Sequence, residues 1–356
     1  MIFFKWRLKF VFYVSIIFLW SFSLNAHALP KVAVIATGGT IAMKKDVISG
    51  GVVPKVSGEG LVNSVPELKE FAEFEVKEYR GGKIASENMT PTDWINIAKL
   101  VQSFIDNPKI TGVVVTHGTD TIEETAYFLD LTLNLDKAVV LVGSQRNASE
   151  PTYDGSMNLV NAVRQVLMKD AKELGVTVTM NQTIHGARDV RKTHTNNMQT
   201  FDSGPRGALG YIDHDRITIF RKPLHRQKFK LPDPRKLPFV PLLTMYTGAD
   251  GRLIDTVVKD GANGIVIEGL GIGNVNEPMS DAIKETVKKG IPVVIGSRVY
   301  FGRSYPVYAT KGGGVDLKKG GTIFSGDLTP WKARIVLILA LAEKVKPENL
   351  QSIFDN

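Results

Sequence analysis

Residues 112–142 read GVVVTHGTDTIEETAYFLDLTLNLDKAVVLV. Gly112–Thr116 and Ala138–Val142 are apolar runs with no polar alternation. Strands of that kind are buried on both faces, as in a parallel sheet. Thr121–Leu133 between them reads as a helix. Strand, helix, strand is the repeating unit of an α/β fold.

The same pattern extends in both directions. Val32–Ala36 is a short apolar strand, followed by Thr37-Gly38-Gly39-Thr40 and a glycine-rich loop to about Gly60. Phe74–Tyr79 alternates like a strand. Thr90-Pro91-Thr92-Asp93 is a helix start, with Thr90 as cap, Pro91 at the first helical position and Asp93 closing a capping box. That helix runs to about Asp106 and carries Trp94, Ile97, Leu100, Val101 and Phe104 on one face. Asp154–Ala171 reads as a further helix. From Val176 to Phe220 short alternating strands lie between turns, as in antiparallel additions to a sheet edge. Alternation of strand and helix then resumes: Val240–Tyr246, a helix near 252–260, Gly264–Ile267, a helix near 280–289, Val293–Gly296, and a long helix from Thr329 to about Glu343. The expected fold is two α/β domains. The larger, N-terminal one (29–221) has a mostly parallel sheet with helices on both faces. A linker follows (222–238), then a smaller C-terminal parallel-sheet domain (239–356).

Composition narrows the function classes. The 356 residues are 43% hydrophobic and 22% charged, which is neither disordered nor membrane-embedded. Residues 1–28 have the form of a signal peptide. Lys5, Arg7 and Lys9 precede an apolar run, and Ala26-His27-Ala28 supplies small residues at the cleavage box. The expected location is periplasmic or secreted, with no membrane contact after leader cleavage. There is no cysteine, which excludes disulfides, thiolate metal sites and a cysteine nucleophile. The formal charge is +8. The densest basic cluster, Arg221 to Lys236, is interrupted by prolines and reads as an exposed linker rather than a nucleic-acid patch. His185, His194, His214 and His225 lack metal-ligand spacing with nearby acids, so no metal is expected. No dinucleotide or phosphate-loop fingerprint occurs, and no organic cofactor is expected.

Functional loops of parallel sheets cluster at the carboxyl ends of the strands. Two such loops stand out: Thr37-Gly38-Gly39-Thr40, and Thr116-His117-Gly118-Thr119-Asp120. Adjacent strands would bring Thr40 and Thr119 to one crevice. Glycines beside a hydroxyl let backbone approach a small substrate and free N–H groups for an oxyanion. A threonine hydroxyl is a weak nucleophile and needs a base or a polarising group. His117 is a candidate by type, but its place inside a strand-end turn suits a structural, backbone-bonded histidine better. Lys192 paired with Asp120 is the alternative, since such a pair can shuttle a proton from a threonine.

These residues resemble a known family. Ala36-Thr37-Gly38-Gly39-Thr40-Ile41-Ala42, Thr116-His117-Gly118-Thr119-Asp120-Thr121 and Glu123-Glu124-Thr125-Ala126-Tyr127-Phe128-Leu129 closely resemble the bacterial L-asparaginases. The exported, type II branch is the nearest, glutaminase-asparaginases included. The likeness covers nearly all of the mature chain and extends through Arg188–Thr193 to Pro330-Trp331-Lys332-Ala333-Arg334. It implies an amidohydrolase that releases ammonia from asparagine, glutamine or both. It implies Thr40 as nucleophile, with Thr119, Asp120 and Lys192 as the second catalytic group. Ser86 and Glu87 would hold the α-carboxylate and α-ammonium of a small amino-acid amide. Asp120 would also contact the ammonium, and Gly118 and Thr119 would line the substrate. The implied assembly is a homotetramer of close dimers.

Three positions depart from the family pattern. Residues 41–59 hold no aromatic, where a lid tyrosine is expected. Ile272 stands where a neighbouring subunit supplies Asn or Ser. Residues 291–326 contain no Glu, and Asp316 is their sole acid; Arg298, Arg303 and Lys311 are there instead. The nucleophile and lysine–aspartate group are intact. The rival readings are a periplasmic small-ligand binding protein and a hydrolase of a different small amide. The leader itself generates a first prediction: N-terminal sequencing of the exported protein should begin at Leu29, and a start at Met1 would refute the cleavage site.

Overall fold

The computed structural model describes residues 28–223 and 227–355. Apart from Ala28, the expected leader lies outside the described residues, as does His225. In chain order the first strands are β1 (Lys31–Ala36), β2 (Met43–Lys45), β3 (Val52–Pro54), β4 (Glu73–Glu78), β5 (Gly112–Thr116) and β6 (Ala138–Val142). They are followed by β7 (Val176–Met180), β8 (Thr183–Gly186), β9 (Arg191–Lys192), β10 (Phe201–Asp202), β11 (Gly210–Ile212) and β12 (Ile217–Ile219).

Eight of these form one sheet in the order β12-β11-β8-β7-β6-β5-β1-β4. Its β4-β1-β5-β6-β7 part is parallel, and β8, β11 and β12 add antiparallel strands at one edge. Every residue of β5 and β6 is buried, the burial their unalternating valines require. Helices Pro91–Ile105 and Gly155–Leu167 pack on β5, and Ile122–Thr132 packs on β7. The capping box at Thr90 is present: Asp93 N–H donates to Thr90 Oγ1, and Thr90 N–H donates to Asp93.

Three elements differ from expectation. The segment read as a loop to about Gly60 carries the paired strands β2 and β3 and the start of helix Gly58–Asn63. The helix read as Asp154–Ala171 stops at Leu167, because Met168 turns extended and Asp170 adopts φ 59°. Val176–Met180 is a fully buried parallel strand rather than an edge addition. Its alternating threonines mimic a solvent face, but Thr177 and Thr179 are buried and bonded to Gln165.

A second, all-parallel sheet holds β13 (Leu242–Thr244), β14 (Ile265–Gly269), β15 (Val293–Ser297) and β16 (Ile323–Phe324), in that order. Helix Gly314–Lys319, strand β16 and helix Pro347–Phe354 escaped the sequence reading. Residues 227–238 hold only a 3₁₀ turn at Pro234–Lys236, yet they are pinned: Phe229 N–H donates to Leu131 O, and Lys228 Nζ donates to Asp130 O.

Helix Pro330–Ala342 joins the two sheets. It packs on β14 and β15 and on helix Ile122–Thr132 of the larger sheet. Ile335, Val336, Leu337 and Leu339 are wholly buried, so truncating one to alanine costs about 2–5 kcal/mol.

Glu124 lies on helix Ile122–Thr132 within electrostatic range of Arg334 on that joining helix. Burial, then the charge of Glu123, pushes its carboxyl up to about 7. The unfolded chain ionises it near 4.5. The native state therefore holds a proton that the unfolded state gives up, and stability falls as pH rises from about 4.5 through about 7. Glu124→Gln should remove this penalty. Its melting-temperature advantage over the wild type should grow between about pH 5 and about pH 8; an advantage that shrinks over that range refutes the assignment.

Candidate active site

The first loop leaves β1 with Thr37 tied across to β5: its N–H and its hydroxyl both donate to Thr116 O, at 3.2 and 2.9 Å. Gly38 and Gly39 follow with φ 123° and 83°, in the region that favours glycine. A Cβ on Gly39 would stand 2.3 Å from the Gly118 Cα, so the two loops touch backbone to backbone. Thr40, half-buried, opens a 3₁₀ turn with Ile41 and Ala42. Ile41 and Ala42 are buried against Leu61, and Tyr153 Oη donates to Ile41 O at 2.8 Å. The turn is thus held from its core side.

The second loop is organised by His117. It is fully buried, with Nδ1 2.8 Å from Gly118 O and Nε2 2.9 Å from Thr125 Oγ1. Burial lowers its pKa to about 4, so the ring stays neutral near pH 7. With both nitrogens occupied, His117 is a structural residue rather than a base for Thr40.

Lys192 arrives from β9, a two-residue strand paired only with β10. Its Nζ donates to Thr119 Oγ1 at 2.9 Å and to Asp120 Oδ1 at 2.7 Å. The ammonium is mostly covered, whereas the Asp120 side chain is 61% exposed and keeps an open side. Thr119 is itself buried.

The third wall is Ser86–Asn88. Ser86 is buried, and a Cβ on Gly118 would stand 2.5 Å from its hydroxyl. Thr121 Oγ1 donates to Ser86 O at 2.8 Å. Glu87 is exposed and lines a cavity of about 610 Å³ with Met43, Val52 and Pro54 of the β2–β3 hairpin. A cavity of about 660 Å³ lies elsewhere, between Arg188–Arg206 and the second sheet. The structure therefore joins Thr119, Asp120 and Lys192 by direct bonds. Backbone contacts bring the segments bearing Thr40, Gly118 and Ser86 together, and Glu87 follows Ser86 on the rim.

Two of the three departures lie in the part of the chain that carries the second sheet. Ile272 sits in the Leu270–Asn274 turn, its carbonyl bonded to Tyr305 N–H. Asp316 is consumed internally by Lys284, Ser280 and the Gly312 N–H, and the Lys284 bond holds it near 2. Sequence reasoning gave no role to Glu123 and Tyr153. For Glu123 the signal was present only as motif identity; for Tyr153 there was none.

A glycine-lined threonine loop thus lies beside a hydroxyl bonded to a lysine–aspartate pair, at the carboxyl ends of a parallel sheet. The chain belongs to the asparaginase family: residues 31–225 match the family model described as Asparaginase, N-terminal, and residues 239–354 match the Glutaminase/Asparaginase C-terminal domain. It is 40% identical to L-asparaginase 2 of Escherichia coli (strain K12) over 340 residues, 94% of this chain and 95% of that one. It is 39% identical to the probable periplasmic L-asparaginase of Haemophilus influenzae, over 93% and 94% of the two chains. Its fold matches the crystal structure of a probable cytoplasmic L-asparaginase from Campylobacter jejuni with a TM-score of 0.81 at 36% identity, covering 92% of this chain and 99% of that one.

The Gly39–Gly118 contact is directly testable. Gly39→Ala combines a positive φ with a Cβ that has no room. It should cost about 2 kcal/mol or more and move Thr40 away from Thr119. A variant with wild-type melting temperature and wild-type turnover would show that the loops do not need this approach.

Proposed function

We propose that the protein hydrolyses the side-chain amide of L-asparagine, and of L-glutamine, to the acid and ammonia through an acyl-threonine on Thr40. The observation that carries this reading is the Lys192 ammonium, bonded at once to Thr119 Oγ1 and Asp120 Oδ1 beside the Thr40 loop.

In this reading Thr40 Oγ attacks the amide carbon, and the carbonyl oxygen takes the electron pair. Backbone N–H groups of the glycine loops, that of Thr119 among them, stabilise the oxyanion, each worth about 3 kcal/mol. The Thr40 proton passes to the leaving nitrogen. The carbonyl re-forms, the C–N bond breaks and ammonia departs, leaving an ester on Thr40. Water adds to the ester carbon, its proton returns to Thr40, and the free acid leaves. The Thr119 hydroxyl, polarised by Lys192 and Asp120, serves as the proton relay. Ser86 and Glu87 hold the α-carboxylate and α-ammonium, with Asp120 as a second ammonium contact. The open side of Asp120 supports that last role.

The same reading includes export and assembly. The leader composition and the periplasmic relative support export. Among the described residues no helix is long and apolar enough to cross a membrane. A homotetramer is supported by the family likeness and by Val299, Phe301, Tyr305, Val307 and Tyr308, exposed within one short stretch. A second reading, a small amide bearing an extra carboxylate, is favoured by the acid-poor segment 291–326. Lys311 is already spent there on Asp281, and Arg303 stacks on Tyr305.

Steady-state ammonia release from asparagine, glutamine and carboxylate-bearing amides separates these readings. Thr40→Ala should lower the rate at least about a thousandfold with the melting temperature unchanged. Near-wild-type release by this variant would remove Thr40 as nucleophile.

A further inference from the structure

Lys192 has an unusual support. β9 lies outside the eight-stranded sheet and is only two residues long. The main hydrogen-bond ladder therefore does not set the height or direction of this side chain. Three residues outside the site do.

Glu123 stands three positions after Asp120, at the start of helix Ile122–Thr132. One of its carboxylate oxygens accepts the Lys192 backbone N–H at 3.3 Å. The other accepts Trp331 Nε1–H at 3.1 Å and lies 3.7 Å from Lys332 Nζ. Lys332 is 1% exposed. Its ammonium donates to Ala187 O, Arg188 O and Val190 O, three carbonyls of the turn that delivers β9. Trp331 also faces the Arg191 guanidinium at 4.7 Å, and the Tyr300 ring faces it at 3.9 Å. Arg191 donates to Tyr300 O at 2.9 Å.

Stability alone is a poor reason for this arrangement. A lysine in the first turn of a helix opposes the positive end of the dipole. A buried ammonium–carboxylate pair often stabilises no better than apolar residues of the same size. What the pair supplies is direction: every donor of Lys332 ends on the backbone leading into Lys192, or near the carboxylate that holds Lys192 N–H.

We propose that Glu123, Trp331 and Lys332 are positioning residues for the amide hydrolysis, a tether through which helix Pro330–Ala342 holds Lys192 against Thr119. Glu123 ties the lysine strand to the segment bearing Thr119 and Asp120, and Trp331 and Lys332 tie both to helix Pro330–Ala342. The proposal rests on the reading of Lys192 as a catalytic group. Ser86 and Glu87 are not part of the tether and Asp120 is reached only through Lys192, so loss of the tether acts more on turnover than on substrate affinity.

The test uses the full-length protein with asparagine as substrate. Trp331→Phe keeps a ring on the Arg191 side and deletes the N–H to Glu123, together with part of the ring volume. Glu123→Gln keeps an acceptor for Lys192 N–H and removes the charge facing Lys332. Lys332→Met strands three carbonyls and can unfold the chain, so the first two variants decide. Each should lower kcat about ten- to hundredfold and change KM by a much smaller factor. Lys192→Met should lower kcat at least about a thousandfold, and adding Trp331→Phe or Glu123→Gln to it should bring no further loss. Folded single variants with wild-type kcat, or an equal extra loss in the Lys192→Met background, overturn the tether while leaving the proposed function standing. Wild-type turnover by Lys192→Met itself removes the catalytic reading of that lysine, and the tether with it.

Discussion

Two polypeptide backbones meet with no side chain between them, and the site exists because they can. Gly39 and Gly118 come from loops at the carboxyl ends of β1 and β5, which the sheet makes neighbours. One methyl group at either position would have to displace backbone or a buried serine. The positive φ of Gly39 adds a conformational reason to the steric one. With the loops this close, the segments bearing Thr40 and Thr119 meet at their backbones. The sheet supplies adjacency and the glycines supply the last few ångströms.

Around that contact the polar groups are graded by burial. His117 lies deepest, neutral and bonded at both nitrogens, and shapes the loop without titrating near pH 7. Thr119, buried, and Lys192, mostly covered, come next. A hydrogen bond there is stronger than at the surface, because water competes less for the donor. Asp120 is outermost, with most of its side chain open to solvent. A charge pair with one exposed member is screened and contributes little to stability. Its worth lies in orientation: the carboxylate bonds the ammonium that donates to the Thr119 hydroxyl, and it keeps an open side.

The sequence disclosed the parts of this design whose cause is local. Buried parallel strands need apolar residues on both faces, so the valine runs of β5 and β6 were legible to the residue. The capping box at Thr90 is a four-residue device and was equally plain. The two threonine loops could be assigned to strand ends and, through family likeness, to one site. What escaped has a non-local cause. The threonines of β7 look like a solvent face until Gln165, a residue of the preceding helix, is seen to satisfy them. Gly312-Gly313-Gly314 offers no apolar periodicity, yet a helix starts at Gly314. Lys332 is a surface residue by type and wholly buried in fact, because the carbonyls that accept its protons come from residues more than a hundred positions away. No window of sequence contains both halves of that arrangement.

The departures from the family pattern sit on the side of the site that this architecture constrains least. The β2–β3 hairpin over the crevice projects Val47 and Ile48 almost fully into solvent, with no aromatic among residues 41–59. The turn bearing Thr40 is fastened from the opposite side, by Tyr153 Oη on Ile41 O and by burial of Ile41 and Ala42. Loop residues with few buried contacts are free to change without disturbing the core. Residues at the Gly39–Gly118 contact are not, since a shift there moves both loops together. In the proposed function the glycine contact thus holds the reacting groups, and the hairpin is the part free to vary.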